Sequence, residues 1–174
     1  MQIKIRKAKP GDVEALRKIS RDTFFETFSE SNTKENMKKY LDDAFSTSKL
    51  ANELSDLESS FYLAEYEERI IGYLKINFGG AQTEIKENKS VEIERIYVTK
   101  EFQGKKIGQL LLKKALDVAV EKAADYVWLG VWEENYRAIS FYRKNGFEEF
   151  GRHSFMLGDD EQTDVLMKLK LPDV

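Results

Sequence analysis

Residues 91–112 read VEIERIYVTKEFQGKKIGQLLL, and this stretch indicates how the chain folds. Its first eight residues have the apolar pattern of a strand, a short loop with glycine and lysine follows, and the remainder has the period of an amphipathic helix. The first N–H groups of a helix lack partners within it and lie at the positive end of its dipole, so they bind anions. Gly104 and Gly108 let the backbone approach a ligand closely, and Lys105 and Lys106 add positive charge. The stretch therefore predicts a site for a phosphate-bearing cofactor.

The spacing of the two glycines narrows the choice of phosphate ligand. Only three residues separate Gly104 from Gly108, and no Lys-Ser or Lys-Thr pair follows them. The nucleotide-hydrolysing loop G-x-x-x-x-G-K-[ST] and the dinucleotide-binding loop G-x-G-x-x-G both need other spacings. Nucleotide hydrolysis and dinucleotide binding are therefore disfavoured.

Composition excludes several classes of function. The 174 residues fit a single domain, 1–174, with 41% hydrophobic and 34% charged residues. With no Cys and one His, His153, the sequence can form neither disulfides nor a Cys- or His-based metal site, so no metal is expected. A net charge of −3 argues against nucleic-acid binding. Because the sequence has no membrane-length apolar run and no signal segment, we expect a cytoplasmic protein that does not bind membranes.

The hydrophobic pattern predicts a chain that begins with helices and ends with strands. A first strand is expected at 2–8, where Lys9-Pro10-Gly11-Asp12 ends it and caps a helix, and helical pieces continue to about residue 58. The remaining predictions are a hairpin at 61–78, a flexible polar loop at 79–89, strands at 91–98, 126–132, 147–156 and 164–171, a polar turn at 157–161, and helices at 104–123 and from Asn135 to Asn145-Gly146.

Two motifs together resemble one superfamily. The run Gln103 to Gly108 is similar to the acyl-CoA pyrophosphate loop of the GCN5-related N-acetyltransferases (GNAT), except that Lys106 stands where the family usually has its first glycine. We expect Lys106 to donate the same backbone N–H with a negative φ. Asn135 to Phe147, NYRAISFYRKNGF, resembles the family's N-x-x-A-x-x-F-Y-x-x-x-G-F motif at every defining position. The resemblance implies an α/β (α+β) GNAT fold: a mixed, mainly antiparallel central sheet of about seven strands, flanked by helices and splayed around acetyl-CoA.

A closer resemblance extends over nearly the whole chain. Several runs look like those of bacterial spermidine/spermine N-acetyltransferases of the PaiA type. This resemblance implies acetyl transfer from acetyl-CoA to a primary amine of a polyamine, with a small-molecule amine as the partner. The runs are 92–97, 128–133, 153–155, 158–159 and 162–164, with the front positions 23–24, 28, 36–37 and 40–41.

The resemblance also implies which residues bind the cofactor. A backbone N–H near Val98 would hold the developing oxyanion, and 96–98 would pair with pantetheine as an added strand. Asn135 would cap its helix and bond the pantetheine amide. The cofactor-binding residues expected in this way are Ile96, Tyr97, Val98, Gln103, Gly104, Lys105, Lys106, Ile107, Gly108, Gln109, Asn135 and Tyr142.

The chemistry of amine acetylation requires both a base and an acid. An alkyl ammonium group has a pKa of about 10, and removing its proton near pH 7 costs about 4 kcal/mol. Glu92 and Glu94 lie two apart on a strand and therefore share a face, where they can hold the amine and pass its proton to water. Glu94 matches the position at which amine-acetylating relatives carry a carboxylate and is the first choice. Tyr142 matches the family tyrosine that protonates the leaving thiolate. Without Cys, direct attack in a ternary complex is expected.

Alternatives remain open at this point. Glu92 or Glu94 can be a solvent-facing strand residue, and Tyr142 a packed helix aromatic. The acceptor can instead be a protein N-terminus or an aminoglycoside, or the protein can be a non-catalytic, CoA-binding regulator. A homodimer is compatible with the sequence, and His153 is expected to be structural.

Overall fold

In the computed structural model, which describes residues 1–173, strands and helices follow the predicted order. The strands are β1 (Lys4–Lys7), β2 (Ser59–Tyr66), β3 (Arg69–Phe78), β4 (Ser90–Val98), β5 (Tyr126–Trp132), β6 (Glu148–Leu157) and β7 (Asp160–Lys170). The helices are α1 (Val13–Phe28), α2 (Lys34–Ala44), α3 (Thr47–Ser55), α4 (Ile107–Glu121) and α5 (Tyr136–Lys144). The predicted sequence of elements is thereby confirmed.

The seven strands form one mixed sheet in the order β1-β2-β3-β4-β5-β7-β6. Its neighbouring strands are antiparallel except β4 and β5, which are parallel. The parallel pairing runs only from Ser90 opposite Tyr126 to Ile93 opposite Leu129. Beyond it, residues 94–98 of β4 and 130–132 of β5 continue as strands without pairing to each other. The sheet is therefore splayed at its centre, as predicted.

A β-bulge in β4 coincides with the start of this opening. Lys75 of β3 pairs with Arg95 and Ile76 pairs with Ile93, so that Glu94 is the extra residue between them. A bulge bends its strand and increases the local twist. It therefore turns the second half of β4 away from β5 and redirects the Glu94 side chain.

Helices cover both faces of the sheet, with one apolar cluster on each. On one face α4 and α5 pack against the sheet through buried side chains such as Leu111, Ala115 and Ile139. On the other face α1, α2 and α3 pack through Leu16, Leu41 and Leu50 among others. Because β2 and β3 supply residues to both clusters, they are buried on both sides.

Some predicted boundaries and local details were wrong. Helix α4 begins at Ile107 rather than at residue 104, because Gly104 and Lys106 both have positive φ values, 79° and 65°. Strand β7 begins at Asp160 rather than at Asp164, because the β6–β7 hairpin turns tightly at 158–159, where Gly158 has a φ of 65°.

The loop after β3 is tied to the sheet by hydrogen bonds. Gln82 is buried and accepts hydrogen bonds from Ser90 Oγ (2.9 Å) and Trp128 Nε1 (2.8 Å). The segment predicted as a flexible loop, 79–89, is therefore held against the sheet at Gln82. Within residues 1–173, no helix is long and apolar enough to cross a membrane.

Candidate active site

A cavity of about 360 Å³ opens where β4 and β5 separate. Helices from both faces of the sheet contribute to its wall. Aromatic rings come from α1 and α2, Tyr142 comes from α5, and Asn135 comes from the N-cap of α5. The strands supply carboxylates and further aromatic rings. The ring-bearing residues of its wall are Phe24, Phe28, Tyr40, Phe45, Tyr97, Trp128, Trp132, Tyr142, His153 and Phe155, and the carboxylates are Glu84, Glu92, Glu94 and Asp164.

The two predicted carboxylates of β4 are brought together by one buried amide. Asn77 of β3 has no exposed surface, and its Nδ2 donates to Glu92 Oε1 at 2.9 Å and to Glu94 Oε2 at 3.2 Å. Its Oδ1 accepts from Ser59 Oγ at 2.9 Å. Both carboxylates therefore point into the cavity from one side, as the strand spacing predicted, although a bulge intervenes.

Glu94 belongs to a charged cluster beneath the cavity. Lys75 Nζ forms an ion pair with Glu94 Oε2 and lies 3.6 Å from Glu53 Oε1, while Arg95 Nη1 lies 3.0 Å from Glu53 Oε2. Burial alone raises the pKa of Glu94, but Arg95 and Lys75 outweigh it and the net shift is downward. Glu94 is thereby kept ionised, which suits the binding of a cation and weakens it as a proton acceptor.

Glu92 has the opposite electrostatic setting. Its side chain is 3% exposed and accepts from the Thr83 backbone N–H (2.9 Å) and from Thr83 Oγ1 (2.5 Å), in addition to Asn77. Burial raises its pKa, and these hydrogen bonds offset only part of that shift. Glu92 is thus a buried carboxylate whose two oxygens both have donors.

Tyr142 lies on α5 at the edge of the cavity and is 5% exposed. Its ring makes edge contacts with Phe141 and Phe147, with centroids 5.3 and 5.6 Å apart. Burial raises the pKa of the phenol well above its ordinary value of 10, so it remains protonated near neutral pH and can act as a proton donor. The helix that carries it begins at the predicted cap, where Asn135 Oδ1 accepts from the Ala138 backbone N–H at 3.2 Å.

Four site residues had not been assigned a site role from the sequence. Asp164 and Glu84 line the cavity, and His153, which was expected to be structural, lies in its wall with Nδ1 2.7 Å from Glu84 Oε1. Thr83 donates to Glu92 as described above. The run Gln162-Thr163-Asp164 had been noticed as part of a resemblance, but only the β5–β7 and β6–β7 pairings bring Asp164 to the cavity.

The loop before α4 has the geometry of a phosphate cradle. A Cβ placed on Gly104 would meet only Arg137 Nη2, at 3.8 Å, so the space in front of the backbone is open. Gln103 Nε2 donates to the Val98 carbonyl at 3.1 Å, and Arg137 Nη1 donates to Gln103 Oε1 at 2.8 Å. Arg137 thus adds a cation to the loop that the motif had not identified.

The expected conformation of Lys106 was wrong. Its φ of 65° and ψ of 15° are left-handed, whereas a negative φ was expected. The residue is the N-cap of α4, and the chain must turn sharply there from the strand direction into the helix. The usual glycine of this motif adopts such a turn without strain.

The other predicted cofactor residues lie along one continuous path. Ile96, Tyr97 and Val98 lie on β4 beyond the point where β5 departs, so the β5 side of their backbone has no strand partner. Ile107 is buried in the core and Gly108 and Gln109 follow it in the first turn of α4, where backbone N–H groups point along the helix axis toward its start. An extended chain that ends in an anionic group fits this path.

The wall of the cavity is acidic overall. Four carboxylates line it against two permanent cations, Lys49 and Arg95. Behind the wall, Glu53 is paired with Arg95 and Lys75 is paired with Glu94, so the charges of these two outer residues offset each other. The remaining field favours a cationic ligand, and aromatic faces around it add cation–π attraction.

The fold and this site together define a class of protein: an acyl-CoA-dependent transferase with an acceptor cavity suited to an amine. The match to known families makes this specific. Residues 13–147 match the acetyltransferase (GNAT) family, and the chain belongs to that family. It is an acetyl-CoA-dependent N-acetyltransferase.

Individual relatives match over almost the full length. An uncharacterized N-acetyltransferase in the pepI 3′ region of Lactobacillus delbrueckii subsp. lactis is 38% identical over 169 residues, covering 97% of this chain and 98% of the relative. The spermidine N(1)-acetyltransferase of Thermoplasma acidophilum is 29% identical over 174 residues, covering 98% of each. The crystal structure of the PaiA N-acetyltransferase from the same organism, in complex with coenzyme A, superposes with a TM-score of 0.80 at 27% identity, covering 98% of this chain and all of that one.

Proposed function

We propose that this enzyme transfers the acetyl group of acetyl-CoA to a primary amine of a polyamine such as spermidine or spermine, by direct attack in a ternary complex. The observation that carries the proposal is the cavity at the splayed strands, which combines four carboxylates with a ring of aromatic side chains. A polyamine has several ammonium groups joined by short alkyl chains. Carboxylates match its charges and aromatic faces match both its cations and its methylene groups.

The proposal is supported by likeness to relatives of PaiA type. A spermidine acetyltransferase and a PaiA structure with bound coenzyme A resemble the chain over nearly its whole length. At 27–29% identity this likeness supports a related acceptor.

The residues that would hold acetyl-CoA follow from the open path beside β4. The unpaired edge at 96–98 would receive the pantetheine chain, and the N-terminus of α4 with Gly104 and Lys105 would receive the pyrophosphate. When bound there, the cofactor supplies an electrophilic thioester carbonyl carbon next to the acceptor cavity. Asn135 and Tyr142 border the same space from α5.

In this proposal the protein groups act on charge and protons. Glu94, kept ionised by Lys75, and Glu92 hold the acceptor's ammonium group on the cavity side of β4. The Tyr142 phenol, kept protonated by burial, donates a proton to the leaving sulfur.

A substrate panel tests the function. Thiol release from acetyl-CoA is followed with spermidine, spermine, putrescine, an aminoglycoside and a peptide with a free N-terminus in parallel, and we expect the largest kcat/KM for spermidine or spermine. Equal rates on all amines would refute the polyamine assignment. Tight binding of acetyl-CoA without turnover of any amine would instead identify a CoA-binding regulator.

A second test addresses the carboxylates of β4. Glu94→Gln should raise KM for the polyamine about 10-fold or more, because one negative charge of the acceptor cavity is lost and the charge of Lys75 is then balanced by Glu53 alone. The KM for acetyl-CoA should change little. An unchanged KM for the amine would remove Glu94 from the acceptor site.

A further inference from the structure

The four carboxylates of the cavity differ in how their oxygens are occupied. Three of them receive at least one hydrogen bond or ion pair from a neighbouring group. Asp164 is different: within residues 1–173 we find no hydrogen-bond donor on its carboxylate. The occupied carboxylates are Glu84, with His153; Glu92, with Asn77 and Thr83; and Glu94, with Lys75 and Asn77.

The sheet makes room for the Asp164 side chain at the cavity. Asp164 lies on β7 and pairs with Trp132 of β5 and with His153 of β6. Its carboxylate lies over Gly130, where a Cβ would come within 3.1 Å of Asp164 Oδ2. Gly130 pairs with Leu166 of β7 but lies beyond the end of the β4–β5 pairing, and it lines the cavity, so the glycine provides space for a carboxylate at the point where β4 and β5 diverge.

The charge of Asp164 acts across the cavity. Burial raises the pKa values of Tyr40 and Tyr97, and the negative charge of Asp164 contributes to both shifts. These two tyrosines lie on α2 and β4 and also line the cavity. Asp164 therefore faces the same enclosed space as the β4 carboxylates and Tyr142.

The protonation of Asp164 is poised close to neutrality. Burial raises its pKa to about 6; the charge of Glu84 raises it as well, and His153 lowers it. The titratable or charged groups that share its cavity are Tyr40 and Lys49 from the helical side, Glu92, Glu94, Arg95 and Tyr97 from β4, Glu84 from the loop after β3, Tyr142 from α5 and His153 from β6.

We infer that Asp164 is the group that takes the proton from the acceptor's ammonium nitrogen before acetyl transfer. The inference rests on the proposed function, an amine acceptor in this cavity. In the step, an N–H bond of the ammonium breaks and its electron pair stays on nitrogen as the nucleophilic lone pair. An O–H bond forms on Asp164, and the proton then passes to solvent, which restores the carboxylate.

The carboxylates of the cavity differ in their surroundings, and we assign them different roles for that reason. Glu94 is ion-paired and stays charged, so it attracts the amine without accepting its proton. Glu92 has donors on both oxygens. A carboxylate without a hydrogen-bond donor has free lone pairs, and burial together with the nearby charge of Glu84 favours its protonated form, which is what a general base needs.

The test compares the wild type with Asp164→Asn in steady-state acetylation of spermidine between pH 5 and 9. We expect kcat/KM of the wild type to fall below about pH 6. In Asp164→Asn we expect kcat at pH 7 to drop about 100-fold or more, while KM for acetyl-CoA stays within about 2-fold. The variant's rate should then rise tenfold per pH unit up to pH 9, because only the fraction of amine that is already neutral can react.

Matched variants separate this role from other effects. Asp43→Asn makes the same chemical change at an exposed position on α2 and should leave the pH profile unchanged. His153→Gln is included because His153 lines the same cavity; it should retain the inflection, moved to higher pH because His153 lowers the pKa of Asp164. In Asp164→Ala, added formate should restore part of the lost rate by filling the emptied carboxylate position.

Each outcome bears on one proposal or on both. If the wild type releases thiol with spermidine and Asp164→Asn keeps its rate and its pH profile, the Asp164 assignment fails while the proposed function stands. Loss of the inflection in His153→Gln would overturn the assignment in favour of the histidine, and the absence of any formate rescue in Asp164→Ala would also count against it. If the wild type acetylates no amine, the proposed function fails and the assignment fails with it.

Discussion

Replacing Asp164 by asparagine should stabilise the folded protein at neutral pH while it lowers activity. The folded state raises the pKa of this carboxyl from 3.8 to about 6. Between these values the folded protein retains a proton that the unfolded chain has already lost. The free energy of unfolding of the wild type therefore falls as pH rises through this range, and the loss is complete above about pH 6.

The magnitude follows from the size of the shift. About two pKa units correspond to about 3 kcal/mol, and we take about 2–3 kcal/mol as the working range. Asparagine has nearly the same shape and no charge to bury. Asp164→Asn should therefore match the wild type near pH 4 and exceed it by about 2–3 kcal/mol at pH 7.5, which for a chain of this length is a rise in Tm of about 4–12 °C.

Urea denaturation of both proteins at pH 4.5, 5.5, 6.5 and 7.5 measures this difference directly. Effects of acid on the rest of the molecule cancel when the two are compared at each pH. Asp43→Asn serves as the control and should stay within about 0.5 kcal/mol of the wild type throughout. The reasoning is refuted if Asp164→Asn is no more stable than the wild type at pH 7.5, or if its advantage does not depend on pH.

Three further predictions concern neighbouring parts of the site. Tyr142→Phe should lower kcat about 100-fold, because the proton donor is lost. Tm and KM for acetyl-CoA should be nearly unchanged, because the packing against Phe141 and Phe147 remains. Steady-state kinetics and a melting curve measure these quantities, and full activity would exclude the acid role. Lys106→Gly should raise the free energy of unfolding by up to about 1 kcal/mol, because glycine adopts the left-handed φ of this position without strain. Denaturation measures this change, and calorimetry should show unchanged binding of acetyl-CoA. A loss of stability would contradict backbone strain at Lys106. Lys75→Met should destabilise the protein by about 1–3 kcal/mol, because Glu94 loses its ion pair while Glu53 keeps Arg95. The double variant with Glu94→Gln should recover part of the loss, and a purely additive effect would argue against the ion pair.

The extent to which the sequence predicted the site depends on how local each feature is. The cap at Asn135, the bounds of β5 and the glycine loop before α4 were found correctly, since each is specified by a few neighbouring residues with a fixed geometry. The left-handed Lys106 was missed because a lysine gives no signal for positive φ. Its conformation is imposed by the turn between β4 and α4.

Long-range pairings account for what the sequence did not reveal about the carboxylates. Glu92 and Glu94 were recognised from their spacing, but Lys75 is distant in sequence and becomes a partner of Glu94 only through the register of β3 with β4. That register includes a bulge, which no residue pattern in the strand announced. The pairing lowers the pKa of Glu94, and we therefore propose it as an ionised group that binds the acceptor rather than as the base.

The sequence by itself determined the family and the order of elements, because these depend on short motifs and on periodic patterns that act locally. The roles predicted for the loop at 103–108 and for Tyr142 rest on the same kind of short motif and stay predictions. Only the tertiary structure decided how protons are divided among the carboxylates. A carboxyl group's pKa depends on its burial and on the charges and donors around it, and for Asp164 those are set by strands far apart in sequence that meet beside Gly130. The stretch at 91–112 thus specifies where the cofactor would bind, and β7 contributes the carboxylate to which we assign the acceptor's proton.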